Sequence, residues 1–346
     1  MLIQIGLPSP TILPIGSINS PNPKLLSATK PYFFSDSELY SIVGYKYLHG
    51  DLPTNLHPEV PPLGKMLIGT SIFIFGNANI LSLLFAVSSL LLLYVAARYL
   101  RLPQSWAIFG LILICFDAQF WDLATSAMLD MFLLTFLLLS FLCFYRGFKN
   151  YKWFWFSSLF LGFMASTKLY FTSIVVIGTL IIAILLIGSF KIFIRYLLSL
   201  ISFTAGFMIP YTTSFISGMS ILDFLRFQRW LTAWWAGNSK IPFGGILTII
   251  FQNQWHTWWG KKEIIPVPNW NPLWPITSVF SLLGIFSKNN ILLIILLIWT
   301  ITYLLFLTIT SPFPRYLILL CPFWVILALK SIHEAFAWFS HILRRT

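Results

Sequence analysis

Charge is what this sequence has least of. Only 9% of its 346 residues are Asp, Glu, Lys or Arg, against about a quarter in an ordinary soluble domain. A chain so poor in charge cannot cover a water-facing surface, which excludes a soluble globule. Cysteine is scarce too: Cys115, Cys143 and Cys321 all lie inside apolar runs. That excludes a disulfide-built secreted scaffold and reads as three small buried hydrophobes. Acids are rarer than bases, ten against 22, giving a net charge of +12. The bases are not interleaved with stacking aromatics on a polar segment, so nucleic acid is excluded as a partner. The five histidines are scattered, and no metal-ligand spacing, nucleophile motif, phosphate loop or internal repeat is found.

What remains is apolar: 58% hydrophobic residues and a mean hydropathy of +0.83. Crossing about 30 Å of hydrocarbon takes about 20 mostly apolar residues in a helix. Stretches of that kind fall near 80–97, 104–118, 128–145, 153–167, 170–190, 196–215, 273–287, 290–310 and 315–333. The expected architecture is an all-α polytopic membrane protein with about nine spans. Every second connection between them is basic: Arg98 and Arg101; Arg146, Lys149 and Lys152; Lys191 and Arg195; Lys288; then Lys330, Arg344 and Arg345. The positive-inside rule makes those connections cytoplasmic, which puts nine of the ten acids on the outer side. Two outer loops are long, 32–66 and 216–271, and chemistry is expected there. The first 31 residues carry Pro8, Pro10, Pro14, Pro21, Pro23 and Pro31; this proline-rich segment is expected to hold no span. Domain organisation then reads as 1–31, a membrane domain over 32–335, and a basic cytoplasmic tail over 336–346.

The first outer loop brings Asp36, Glu38, Asp51, His57, Glu59 and Lys65 close together in sequence, a dense group for a chain with so few acids. Each alone suits a solvated or interfacial place; together they suit a carboxylate base beside a phosphate-binding cation. The prolines before Lys65 predict an interfacial helix with the lysine near its start, facing the headgroup layer. Asp117 and Asp122 read as helix-end acids, and Asp130 enters the start of an apolar run, where an acid needs a partner. Lys168 and Arg315 are two further outer cations, and with Lys65 they suit an anionic headgroup as well as membrane anchoring. The second outer loop is rich in Trp and amides, among them Trp234, Trp235, Trp255, His256, Trp258 and Trp259. Such rings suit a sugar platform, and also any membrane interface.

Several segments taken in order resemble the GT-C glycosyltransferases, specifically the dolichyl-phosphate-mannose protein O-mannosyltransferases and their aminoarabinose-transferase relatives. Asp36, Ser37, Glu38, Leu39 and Tyr40 resemble the family's D-E-x-x-Y. Val60 through Lys65 answer its H-P-P-L-G-K, and Met128, Leu129 and Asp130 its M-L-D turn. Gly162 through Lys168 resemble its G-x-x-x-[SG]-[ST]-K, Asn271 through Trp274 its N-P-x-x-W, and Arg315, Tyr316, Pro322 and Phe323 its closing R-Y and P-F. Ser37 stands where the family has the glutamate, Val60 where it has the histidine, and Thr125 where an arginine precedes the turn.

The resemblance implies a GT-C transmembrane bundle that moves one sugar, mannose by the family's habit, from a polyprenyl or dolichyl phosphate to Ser/Thr of proteins or to a lipid, with inversion. Asp36, or Glu38 two places on, would be the general base. Lys65, Lys168 and Arg315 would hold the donor phosphate, and His57, Glu59, Asp130, Trp255, His256 and Asn271 would support the substrates. No cofactor is required on this reading, and a divalent metal is left open. The implied setting is a prokaryotic plasma membrane, an archaeal one included, with the site on the outer face. A flippase for lipid-linked sugars and a non-catalytic helper subunit are the alternatives.

Overall fold

The computed structural model describes residues 34–168, 170–238, 243–257, 263–286, 290–310 and 312–343. The expectations for residues 1–31, Trp258, Trp259, Lys288, Arg344 and Arg345 lie outside the described residues. The chain is an all-α membrane protein, with helices at each of the nine apolar stretches. These are α3 (Ile80–Tyr99), α4 (Gln104–Cys115), α6 (Asp130–Gly147), α7 (Lys152–Thr167), α8 (Phe171–Ile187), α9 (Phe190–Met208), α13 (Leu273–Leu282), α14 (Ile291–Ile309) and α15 (Cys321–Leu343). Among the described residues four runs, Ile80–Tyr99, Asp130–Gly147, Phe190–Ile216 and Ile291–Ile309, are both long and apolar enough to cross a bilayer alone. The pair α4 and α5 (Ala118–Thr125), bent by 71° at the break, reaches that length only when taken together. The nine expected spans are therefore nine helical positions of unequal length. The last helix runs on to Leu343, past the boundary at 335 that composition suggests.

The centre is α6, 83% buried along its span. Its sequence is apolar on every side, and such a helix belongs inside a bundle. By contrast the run Phe190–Ile216, which begins with α9, is only 17% buried and α3 33%, so their outer faces are left to lipid. Two glycine contacts set the closest helix approaches. A Cβ on Gly162 of α7 would lie 2.3 Å from the Phe203 carbonyl oxygen of α9. A Cβ on Gly44 of α1 (Asp36–Leu48) would lie 2.1 Å from the Lys65 carbonyl oxygen of α2 (Leu63–Phe75). Small residues at such crossings let backbones meet in lipid, where apolar side chains gain little from leaving their surroundings. Hydroxyl pairs add cross-links between helices: Ser89 with Thr135 at 2.8 Å, Ser140 with Ser157 at 3.0 Å, Ser158 with Ser199 at 2.8 Å and Thr179 with Thr302 at 2.7 Å.

The two long loops, expected on the outer side, are more ordered than their polarity suggests. In the first, Ser35 caps α1 and Glu38 returns the bond to the Ser35 backbone, a capping box that starts a helix despite the local charge. At 13 residues each, α1 and α2 measure about 20 Å, too short to span. In the second, α10 (Thr212–Ile216) leads to α11 (Ile221–Asn238) and α12 (Gly245–Gln252). A two-stranded antiparallel ribbon follows, β1 (Gln254–His256) with β2 (Ile264–Pro266), and Trp255 faces Ile265.

Candidate active site

Helix ends bring four charged side chains to one end of the bundle. Asp130 opens α6, Lys168 closes α7, Asp36 opens α1, and Arg315 lies on a 3-10 turn, Pro314–Leu319, that leads into α15. The opposite ends of α3, α6 and α7 are the basic ones, where Arg146 donates to the Tyr99 hydroxyl at 2.8 Å. Gly64 draws three expected motifs together. Its Cα lies so close to Leu129 and Thr167 that a Cβ there would be 2.6 Å from the Leu129 Cδ2 and 2.9 Å from the Thr167 Cγ2. The start of α2 is thus pressed between the residues preceding Asp130 and Lys168.

Two ion pairs make the site. Arg315 Nη1 lies 2.8 Å from Asp36 Oδ2, and Lys168 Nζ donates to Asp130 Oδ1 at 2.8 Å. Lys168 also stands over the Tyr316 ring, 4.5 Å from its centroid, and Arg315 over the Phe313 ring at 4.8 Å. The groups act on one another beyond these pairs. Burial lowers Lys168, while Asp130 raises it. Burial also works against the Arg315 guanidinium, but Asp130, Tyr40, Tyr316 and Asp36 together hold it above its ordinary value. Tyr316 is pushed up to about 12 by burial, against the pull of Arg315.

The two acids differ in access. Asp130 is 2% exposed, and its second oxygen, Oδ2, is buried without a hydrogen-bond partner, whereas Asp36 is 48% exposed. Glu38 is taken up by the capping box, accepting from both the Ser35 amide and the Ser35 hydroxyl at 2.9 Å. Of the two acids expected as the base, Asp36 is the one beside a cation and open to an incoming hydroxyl.

Lys65 departs from its expected place. It is fully buried, donating to the His57 carbonyl at 2.8 Å and the Val60 carbonyl at 2.6 Å, with His57 Nδ1 at 3.3 Å and the Tyr47 ring beneath it at 5.2 Å. All three ammonium donors are therefore directed into the 57–60 loop, and none faces a headgroup layer or the Asp36–Arg315 pair. Burial pushes this lysine down to about 7, opposed by Glu59. Burial and then the Lys65 charge push His57 down to about 3. His57 adjoins the ion pairs through an edge contact with Tyr40 at 5.9 Å, and the Glu59 carbonyl accepts from Trp235 Nε1 at 2.8 Å. These residues shape the loop behind the site.

The remaining expected residues are spread out. Trp255 is buried behind Arg315, 5.6 Å from the Phe313 ring, and bonds the Pro312 carbonyl at 3.2 Å. Its place is that of a support, and it offers no open sugar-stacking face. Asn271 accepts from the Leu273 amide at 2.9 Å and so begins α13. His256 lies in β1 opposite Ile264, and among the described residues no contact joins it to the four charged groups. Asp117 caps α5, accepting from the Gln119 amide at 3.0 Å. Two residues of the site carry no charge in the sequence, Tyr40 and Tyr316; both belong to quoted motifs, and that was their signal. Gln119, which bonds the Pro314 carbonyl at 2.9 Å, had none.

The fold these helices define is an all-α transmembrane bundle. No protein-family model and no curated protein sequence matches the chain. Among solved structures it is similar to ArnT from Cupriavidus metallidurans in the apo state, with a TM-score of 0.65 and 16% identity over 90% of this chain and 57% of ArnT. It is equally similar to ArnT bound to undecaprenyl phosphate, with a TM-score of 0.65 and 17% identity over 87% of this chain and 56% of ArnT. This chain thus spans little more than half the length of ArnT, and the likeness is one of fold.

Proposed function

We propose that the protein is an integral-membrane glycosyltransferase that takes one sugar from a polyprenyl-phosphate carrier and passes it, with inversion, to a hydroxyl acceptor on the outer face. By the motif resemblance the sugar is mannose, the carrier dolichyl phosphate, and the acceptor Ser/Thr of a protein or a lipid. The observation that carries this reading is the Asp36–Arg315 pair beside Asp130–Lys168, in a fold shared with a protein solved with undecaprenyl phosphate bound.

The chemistry follows from charge balance. Two cations and two carboxylates cancel in the resting site. In transfer, the acceptor oxygen forms a bond to the anomeric carbon as the bond from that carbon to the phosphate oxygen breaks. The acceptor proton goes to Asp36, and the carrier leaves as a phosphate monoester with one more negative charge than the diester donor. Protonation of Asp36 removes the counter-anion of Arg315 at the moment the phosphate gains its charge. A fixed guanidinium and ammonium are the groups that stabilise such a developing anion best. Lys168 and Arg315 keep 16% and 20% of their side-chain surface open, so a phosphate can reach both. Lys65 is spent on carbonyls and serves the loop.

The test is transfer of labelled sugar from a panel of polyprenyl-phosphate donors to peptide and lipid acceptors in reconstituted membranes, wild type beside Asp36→Asn. Transfer by the wild type that disappears in the variant supports the reading. Movement of the intact lipid-linked sugar between leaflets, equal in both proteins and without transfer, overturns it in favour of a flippase. Absence of both activities favours a helper subunit.

A further inference from the structure

Arg315 is aimed by a turn that other elements hold, and the holders come from distant parts of the chain. Gln119, 5% exposed, donates from Nε2 to the Pro314 carbonyl at 2.9 Å. Trp255 donates from Nε1 to the Pro312 carbonyl at 3.2 Å. The turn carries Pro312 and Pro314, which lack amide donors of their own, and within it the Tyr316 amide bonds the Phe313 carbonyl at 2.9 Å. Arg315 Nε is buried without a hydrogen-bond partner, so beyond Asp36 the direction of the guanidinium depends on where the turn sits.

Gln119 is itself anchored. Its backbone N–H donates to Asp117 Oδ1, and Asp117 Oδ2 accepts from Trp274 Nε1 at 2.8 Å. Trp274 is fully buried and stands on α13. The 71° break between α4 and α5 falls at Asp117 and brings Gln119 to the turn. The arrangement leaves Gln119 Oε1 buried and unpartnered. An apolar side chain would avoid that cost, so the amide is kept for its one bond to Pro314.

We infer that Gln119 and Trp255 are positioning residues that grip the Pro312–Pro314 turn from two sides and fix Arg315 against the lipid phosphate. The inference rests on the reading of Arg315 as a phosphate ligand. It assigns to Trp255 a hydrogen bond to the turn in place of sugar stacking, and to Gln119 a role in phosphate recognition without contact to the phosphate.

The test uses the full chain in lipid nanodiscs, with a short-chain polyprenyl phosphate as probe. Gln119→Met removes one donor and keeps the length of the side chain, and Trp255→Phe removes one donor while keeping an aromatic ring against Phe313. Each is expected to raise the Kd of the probe by roughly three- to tenfold, the range of one lost hydrogen bond. In an Arg315→Gln background neither should weaken binding further, because the effect passes through Arg315. Weakening of the same size in both backgrounds, or an unchanged Kd with Arg315 present, overturns the positioning role. If Gln119→Met does not fold, Trp255→Phe carries the same cycle. An Arg315→Gln protein that binds the probe like wild type instead defeats the phosphate reading itself, which separates the two failures.

Discussion

Asp36 Oδ2 and Arg315 Nη1 lie 2.8 Å apart across 279 residues of sequence, one at the start of a short surface helix and the other on a turn before the last helix. The pair places a half-exposed carboxylate on a cation that a phosphate also needs. Base and phosphate ligand are therefore coupled, and each is expected to report on the other when substituted.

Arg315→Gln should weaken binding of a polyprenyl phosphate by roughly ten- to a hundredfold, since a charge-assisted bond to phosphate is worth about 1.5–3 kcal/mol. Arg315→Lys should recover only part of that loss, because an ammonium does not offer the planar pair of donors. Equilibrium binding to labelled lipid in detergent or nanodiscs measures both.

The Lys168–Asp130 pair predicts a stability signature. Lys168→Met leaves Asp130, 2% exposed, as a buried carboxylate without its cation, and should cost about 3–5 kcal/mol. Adding Asp130→Asn should restore much of the fold while leaving phosphate binding weak. Unfolding midpoints of the single and double variants check this, and additive losses would contradict the pairing.

Gly44→Ala should damage the protein more than its size suggests. The new methyl would meet the Lys65 carbonyl, a backbone atom of the facing helix that cannot turn aside. Forcing α1 and α2 apart should cost about 1–3 kcal/mol and shift the loop behind the site, seen as lowered thermal stability together with lowered transfer.

His57 makes a prediction about pH. Its imidazole is held down to about 3 from an ordinary 6.5, by burial and then by Lys65, so the folded protein binds fewer protons there than the unfolded chain. That stability is present above 6.5 and is lost as pH falls toward 3. His57→Asn should flatten the slope, and asparagine tolerates the left-handed backbone at this position, where φ is 49°. Thermal unfolding across this range measures it.

Much of this was legible in the sequence because the chain is so poor in charge. Asp36, Asp130, Lys168 and Arg315 stand out against an apolar background, and lipid forces any acid at a span end to find a partner. Helices at the nine apolar stretches follow from hydropathy, though their unequal lengths do not, since breaks such as that at Asp117 depend on local capping and on Trp274. Lys65 was misleading for a physical reason. A lysine at the start of an interfacial helix reads as facing the headgroup layer, and only the fold of residues 57–60 shows two carbonyls converging on its ammonium. The helix α1 was concealed by its charge, although Ser35 and Glu38 carry a capping-box spacing. Gln119 was not legible, because one amide among apolar residues carries no pattern.

The most direct measurement takes Asp36→Asn and wild type in the same membranes and records transfer rate and polyprenyl-phosphate affinity together. Loss of the base should lower transfer by about 10²–10⁴-fold. Loss of the carboxylate that competes for Arg315 should leave the phosphate bound at least as tightly as before, and by the account more tightly. Transfer that persists near the wild-type rate, or lipid binding that falls in step with turnover, would contradict the coupling of Asp36 to Arg315 on which the account stands.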